Sequence, residues 1–291
     1  MIDEVAPPSA ARPSPSPDPW RRWWLVLFVL TIVVASGLLL GRTIKSDAAQ
    51  LPAPSVAPSA APSAPILEAA PTPSPTPTPS PSRPALAVDQ LSLPGAVPSH
   101  GSGQFAYAMT RGPILGSRGT LRRFRVAVER GSNEDVTAFA EQVVATLGDP
   151  RSWIGGGQVR LQMVAGSDPA DFTVYLATRD TAGRLCERGG TNIRIGGVPY
   201  TSCRTTGQAI INLDRWRLSA KPYLNAKFPL ATYRQYVINH EVGHELGHHH
   251  EGCPNAGGPA PVMVQQTLTT RSCTPYPWPR QGDRFLTGPA L

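Results

Sequence analysis

One string of eleven residues, from His240 to His250, constrains this chain more than any other part of it. It reads His-Glu-Val-Gly-His-Glu-Leu-Gly-His-His-His, which has the pattern H-E-x-x-H-x-x-G-x-x-H. Residues four apart lie on one face of a helix, so His240 and His244 can both reach one metal ion. Glu241 projects beside them, where it can hold a water on that metal. The string therefore predicts a helix that carries a metal site together with a base.

His250 is the predicted third ligand, although a straight helix would not bring it to the same ion. It lies ten residues after His240, and a helix rises so little per residue that this places it about 15 Å along the axis. Gly247 resolves the difficulty, because glycine can adopt positive φ, end the helix and turn the chain back. His248 is the alternative ligand if the helix continues. We prefer His250 because the glycine stands where the bend is needed, and we expect His248 and His249 at the surface or behind the ligands.

The string resembles the signature of the metzincin clan of zinc endopeptidases. Members of that clan have a methionine turn beneath the metal, and Met263, 13 residues after His250, resembles that methionine. The alternative is an ordinary loop methionine. The resemblance implies Zn²⁺ held by His240, His244 and His250, with a fourth position for water and Glu241 as the general base. It implies that Met263 packs under the histidines as an apolar floor and does not bind the ion.

The chain also departs from parts of the clan's pattern. Gln265 stands two residues after Met263, where several subfamilies place a tyrosine, and no cysteine-switch propeptide is present. Glu251 follows the third histidine, as it does in astacins. Glu245 is expected in solvent or behind the ligands. The sequence does not select a helper among Asp214, Tyr223, Tyr233 and Tyr276. As a whole the chain resembles an uncharacterised family of membrane-anchored actinobacterial proteins of this clan.

The first part of the chain predicts an anchor. Residues 23–40 carry no charge, and as a helix they would rise about 27 Å, enough to span a bilayer core. Three basic residues precede this run and two follow it, which favours a cytoplasmic tail at 1–22 and an extracytoplasmic C-terminal domain: Arg12, Arg21, Arg22, Arg42 and Lys45. The alternative is a cleaved signal peptide, with a small-residue site near Ser46 to Ala48.

A Pro/Ser/Thr/Ala-rich stalk is predicted at 41–100. Between Pro52 and Pro84, 12 of 33 residues are proline, a composition that cannot bury a core and favours extended polyproline II. The folded domain is predicted at 101–291.

The four cysteines all follow the apolar run and are Cys186, Cys203, Cys253 and Cys273. An even number of cysteines in an exported domain predicts two disulfide bonds. Of the three pairings, proximity favours Cys186–Cys203 and Cys253–Cys273, the second closing a loop around Met263. A cysteine zinc site is the alternative, and the absence of any C-x-x-C pair argues against it.

Net charge limits the partners. The chain has 27 basic and 20 acidic side chains, a formal charge of +7. This surplus suggests attraction to an anionic cell-wall polymer or to lipid head groups. No Lys/Arg cluster alternates with aromatic residues, so a nucleic-acid partner is not predicted.

Periodicity predicts an α+β domain of the metzincin-like zincin type: a twisted, mostly parallel sheet with two helices and a small irregular C-terminal part. Alternating apolar residues predict strands at 121–128, 159–163, 172–176 and 208–213. Apolar residues at helical spacing predict a helix over 133–147, capped by Ser132 or Asn133 and ended by Gly148. In the metal helix, Thr232 and Gln235 have capping-box spacing, and Ile238, Val242 and Leu246 form the core stripe.

Two classes of function follow from these features. The first is a membrane-anchored zinc endopeptidase that acts on protein or peptide outside the cell. The second is a non-catalytic zinc-containing module that binds a cell-wall component or a partner protein. Glu241 favours the first class, because a binding site does not require a base beside its ligands.

Overall fold

The computed structural model describes residues 89–291, and the predicted tail, the 23–40 span and the stalk up to residue 88 lie outside them. Within the described part, no helix is both long and apolar enough to cross a membrane.

The strands are β1 Phe105–Tyr107, β2 Ile114–Leu115, β3 Thr120–Glu129, β4 Val159–Met163, β5 Phe172–Ala177, β6 Arg194–Ile195, β7 Val198–Pro199, β8 Cys203–Thr205, β9 Gln208–Asn212, β10 Arg280–Gln281 and β11 Arg284–Phe285. The α-helices are α1 Val136–Leu147, α2 Arg179–Arg188, α3 Leu213–Leu218, α4 Lys221–Asn225 and α5 Leu230–Glu245, and a short 3-10 helix spans Trp153–Gly156.

A mixed and mostly parallel sheet forms the centre of this part of the chain. Its order is β2-β4-β3-β5-β9-β8, and β1 pairs with the last residues of β3. The pairs β3–β4, β3–β5 and β5–β9 are parallel, whereas β2 and β8 run antiparallel at the two edges. The predicted mostly parallel sheet is therefore confirmed, and β8 is left as an edge strand.

The two faces of the sheet pack against different helices. On β9, Ala209 and Ile211 face a large core that includes Phe139 of α1 and Val242 of α5. Ile210, between them, faces a smaller cluster built around α2 and the cystine half Cys186. Alternating side chains point to opposite faces of a strand, so one strand can serve both cores. The metal helix α5 is thus packed against the sheet and α1, which fixes its position.

The helix boundaries correct two details of the predicted pattern. Helix α1 begins at Val136, and its cap is Asp135, whose side chain accepts the Ala138 N–H at 2.8 Å. Neither Ser132 nor Asn133 is the cap. Helix α5 begins at Leu230 after Pro229, without a side-chain cap, so the predicted capping box at 232–235 is wrong.

Several short elements were not predicted from the sequence. Helices α2, α3 and α4 and strands β1, β2 and β8 belong to this group. The folded part also reaches further back than residue 101, because Gln90 accepts the Leu230 N–H and the Leu93 N–H donates to Arg217. The last residues of the predicted stalk therefore contact the start of α5 and the end of α3. After Glu245 the chain is irregular apart from β10 and β11, as expected.

Candidate metal centre

The metal helix presents its histidines at the end of a buried segment. Ile238 and Val242 are buried in the core and Leu246 packs against it, which confirms the predicted core stripe. His240 and Glu241 are buried as well, and His244 is half-buried. They line a cleft of about 300 Å³. One side of α5 therefore holds the helix in the core while the other carries polar groups into a cleft.

The helix ends in a Schellman motif centred on Gly247. Gly247 has φ +95°, its N–H donates to His244, and the His248 N–H donates to Gly243. These are the two hydrogen bonds that close this motif, and the left-handed residue between them is normally glycine. The predicted role of Gly247 is confirmed: it reverses the chain and brings His250 back to the helix.

The three predicted ligands meet in one cluster. One nitrogen from each of His240, His244 and His250 lies within 4.8 Å of the other two, and this is the cluster among residues 89–291 that can hold a metal. Nε2 of His244 and Nε2 of His250 are 3.1 Å apart. Four nitrogens around tetrahedral zinc, with Zn–N bonds of about 2.0–2.1 Å, would be about 3.3 Å apart. The closest pair is already at ligand spacing.

Backbone carbonyls orient two of the rings. Nδ1 of His240 lies 2.8 Å from the Val262 carbonyl, and Nδ1 of His244 lies 2.8 Å from the His248 carbonyl. A ring that donates from Nδ1 keeps its Nε2 lone pair for a metal, which is the usual support behind a ligating histidine. Burial lowers the pKa of His240 well below its usual value and lowers that of His244 to about 4. Both rings are therefore neutral at pH 7, as metal ligands must be.

Glu241 is a carboxyl group held in the cleft beside the ligands. Burial raises its pKa to about 8, with no hydrogen bond or ion pair from residues 89–291 acting against that effect. A carboxylate without a partner in such a place favours its neutral form until a positive charge is brought near. The group is thus positioned to respond to a cation at the three histidines.

Met263 packs against the helix that carries His240 and His244. It is buried, and a Cβ atom added at Gly243 would lie 2.7 Å from its Sδ atom and 2.6 Å from Cζ2 of Trp153. The neighbouring carbonyl of Val262 is the one that orients His240. A small residue at 243 therefore lets the methionine segment approach the helix closely enough to support a ligand.

Buried tyrosines hold that segment in place. Tyr236 donates to the Val264 carbonyl at 3.0 Å and accepts the Gln266 N–H at 2.8 Å. Tyr223 donates to Oε1 of Gln266 at 2.8 Å, and Tyr233 bonds Thr267 at 3.0 Å. Of the candidate helpers, Tyr223 and Tyr233 thus serve the methionine turn, Tyr276 donates to the Arg280 carbonyl and Asp214 lies beside Arg179. None of these four side chains lines the cleft.

Both predicted disulfide bonds are present. Cys186–Cys203 ties α2 to the edge strand β8, and Cys253–Cys273 closes the loop that contains Met263. No cysteine of the described part is free, so the alternative of a cysteine metal site is excluded there. Cys203 lines the cleft, so the first bond holds part of its wall.

The remaining polar residues of the motif have structural contacts. His248 stacks on Trp153, with ring centroids 4.2 Å apart, and His249 is exposed. Glu245 is not in solvent: it is buried and pairs with Nε of Arg204 at 2.8 Å. Glu251 accepts the Gly288 N–H at 3.0 Å. Sequence reasoning missed Arg204, and its one signal was the neighbouring Cys203.

The donor set fits a zinc ion. Three neutral imidazoles that converge on one point, with two of them oriented through Nδ1, are the ligand set that zinc favours and that leaves a position open. The fold and the site together define an α/β domain with a three-histidine metal centre at the end of its core helix.

The chain belongs to the family described as "Protein of unknown function (DUF3152)", whose model matches residues 92–278. The match covers the three histidines, Glu241, Met263 and all four cysteines. A search of curated proteins and a search of solved structures each found no match.

Proposed function

We propose that this chain is a membrane-anchored, zinc-dependent endopeptidase of the metzincin type that hydrolyses peptide bonds outside the cell. The observation that carries the proposal is the meeting of His240, His244 and His250 beside a buried carboxyl group and above Met263. The metzincin-like fold is part of the proposal. A mostly parallel sheet, the glycine turn after the helix and the methionine segment under it support that assignment.

The chemistry divides between the ion and the protein. A zinc ion held by the three histidines would supply Lewis acidity, lowering the pKa of a water to about 7 and polarising a carbonyl. Glu241 takes the proton of the attacking water and delivers it to the leaving amine, so that the products leave as acid and amine. Its carboxyl ionises beside a divalent cation, because a nearby opposite charge favours the charged form.

The cleft is suited to a peptide in its polarity and its position. Its lining includes Thr191, Asn192, Thr201 and Ser202, which precede the edge strand β8 in the chain, together with Gln265 and Leu268. Hydroxyl and amide groups can bond a peptide backbone without requiring one sequence. Gln265 occupies the position where some metzincins have a tyrosine, so we expect modest rates.

The test is the change Glu241→Gln in the full chain loaded with zinc. The change keeps the size of the side chain but removes the base, so zinc should stay bound while kcat falls about 100-fold or more. Peptide cleavage followed by mass spectrometry gives the rate, and metal analysis gives the zinc content. Glu141→Gln, on the exposed side of α1, is the matched control and should leave both unchanged.

Absence of cleavage by the wild-type chain with full zinc occupancy would contradict the proposal. The non-catalytic reading would then apply, in which the same zinc-containing module binds a cell-wall component or a partner protein. An anionic wall polymer is the first candidate, because the chain carries a net charge of +7.

A further inference from the structure

One wall of the cleft carries a basic side chain on a rigid strand. Arg204 lies on β8 directly after Cys203, which is bonded to Cys186, and residue 204 pairs with Ala209 of β9. It is the one Lys or Arg among the residues that line the cleft. The strand is therefore held by the sheet on one side and by the disulfide at one end, so the position of the charge is set before any ligand binds.

The guanidinium group of Arg204 is held by a hydrogen bond from its Nε atom alone. Its Nε atom lies 2.8 Å from Oε1 of Glu245, and that same oxygen accepts the Gln208 N–H at 3.1 Å. The side chain of Glu245 is 3% exposed, whereas that of Arg204 is 35% exposed. Within residues 89–291, Nη1 and Nη2 of Arg204 have no hydrogen-bond partner. The buried carboxylate thus orients the arginine, and its terminal nitrogens remain available to a ligand.

The lining of the cleft offers nothing else that would neutralise this charge. Glu241 is the one carboxyl residue in the lining, and the proposed function assigns it to the water and the metal. Arg204 and the three histidines line the same cleft, so the arginine lies where it can contact a ligand bound there.

We propose that Arg204 binds a carboxylate of the substrate, so that the cleft selects peptides with an acidic group near the bond to be cleaved. The inference rests on the proposed peptidase function. A planar guanidinium whose two terminal NH2 groups are free matches the two oxygens of a carboxylate, which a lysine does not do as well. The carboxylate can come from an Asp or Glu side chain or from the C-terminus of a short peptide.

Binding of short random peptides distinguishes these sources. One pool contains a glutamate and an amidated end, a second has glutamine in its place, and a third has glutamine with a free C-terminal carboxylate. Fluorescence anisotropy on the zinc-loaded full chain with Glu241→Gln measures affinity without turnover. The pool that supplies the recognised carboxylate should bind about tenfold to a hundredfold more tightly than the neutral pool, the worth of a charged hydrogen bond.

Variants at Arg204 test whether this side chain is responsible. Arg204→Gln should remove the preference and leave the affinity for the neutral pool within about threefold, and Arg204→Lys should retain part of it. Arg111→Gln is the matched control, since Arg111 is an exposed arginine paired with Asp168 at 2.6 Å and does not line the cleft. It should preserve the full preference. Zinc content and thermal melting of each variant report on the fold.

Two results would overturn the inference. One is equal affinity of the Glu241→Gln chain, with Arg204 intact, for all three pools, including no measurable affinity for any. The other is an equal loss for acidic and neutral pools in Arg204→Gln, which would mean that the arginine only neutralises Glu245. Cleavage by the wild-type chain is measured separately. Acid-selective binding without cleavage would support the role of Arg204 while contradicting the peptidase proposal.

Discussion

At the scale of single residues, the site depends on the two nitrogens of each imidazole. In His240 and His244, Nδ1 is engaged by a carbonyl and Nε2 is left for a ligand. This arrangement fixes the tautomer and the orientation of each ring. Hydrogen-bond partners behind a metal ligand typically have this role. His249, in contrast, is exposed and belongs to no such arrangement.

Removal of one ligand should therefore abolish zinc binding. The full chain should hold about one zinc ion, and His240→Ala or His244→Ala should lose it, because a site with two ligands is too weak. His249→Ala is the control and should keep full occupancy. Atomic absorption after dialysis against a weak chelator measures the content. Full occupancy in His240→Ala would contradict the ligand assignment.

The neighbour of the proposed base should affect stability and not metal binding. Val242 is completely buried in the core beside Glu241. Val242→Ala leaves a cavity and should lower the free energy of unfolding by about 2 kcal/mol, with zinc retained. Val198→Ala removes the same atoms at a position that is 48% exposed and should cost less than about 0.5 kcal/mol. Urea denaturation of both variants with disulfides intact is the measurement, and equal costs would be evidence against this packing.

At the scale of elements, the segment that contains His250 is held from two sides. The Glu251 N–H donates to the Met263 carbonyl on one side. On the other side, the Leu291 N–H donates to His250, the Gly252 N–H donates to Pro289, and Glu251 accepts from Gly288. The third ligand thus depends on residues 288–291, whose contribution is made mostly through the backbone.

Deletion of residues 287–291 should weaken zinc binding. The deletion removes hydrogen bonds that hold His250 and the residues next to it. Loss of such indirect support typically reduces metal affinity about tenfold to a hundredfold. Leu291→Ala keeps the backbone N–H of an exposed residue and should leave the affinity unchanged. Competition with a chromophoric chelator measures both. An unchanged affinity in the deletion would show that His250 needs no support from this segment.

The long elements could be predicted because their patterns are complete. Strands β3, β4 and β5 have five or more residues each and carry apolar side chains at alternate positions over much of their length, and the motif itself encodes the helix, its glycine turn and the spacing of the ligands. Strands β1, β2 and β8 have two or three residues, too few to show a period. Helix α2 is mostly polar and buries little beyond small residues such as Ala182 and Gly183, so no apolar stripe indicated it.

Other features depend on contacts that only the folded chain creates. Ser132, Asn133 and Asp135 all favour a cap, and the choice of Asp135 follows from the turn in which Asn133 takes φ +60°. Arg204 reaches Glu245 because the sheet places the edge strand beside the metal helix, 41 residues away in sequence. No local pattern contains that pairing, and so the charged wall of the cleft could not be predicted.

At the scale of the whole molecule, the disulfide bonds indicate the cellular compartment in which the folded domain is expected. The described part contains two disulfide bonds, Cys186–Cys203 and Cys253–Cys273, and no cysteine in it is free. Disulfides of this kind persist outside the cytoplasm, where thiols are not kept reduced. The chain isolated from its native cells should therefore show four oxidised cysteines. Alkylation without reduction, followed by mass spectrometry, checks this, and a modified cysteine would contradict it.

The proposal that the folded domain lies outside the cell can be tested through its lysines. The chain has three, Lys45, Lys221 and Lys227, and all follow the predicted 23–40 span. Lys221 and Lys227 are exposed on and after α4. If residues 23–40 anchor the chain with its N-terminus in the cytoplasm, a membrane-impermeant amine reagent added to intact cells should label both lysines, because their ammonium groups face the medium. An abundant cytoplasmic protein of the same cells, which should stay unlabelled until the cells are opened, is the control.

The labelled chain should sediment with the membrane fraction if the apolar run is retained, and should be released into the medium if it is cleaved as a signal peptide. Labelling of Lys221 and Lys227 that appears only after the cells are opened would reverse the proposed orientation, and with it the proposal that the cleft meets its substrate outside the cell.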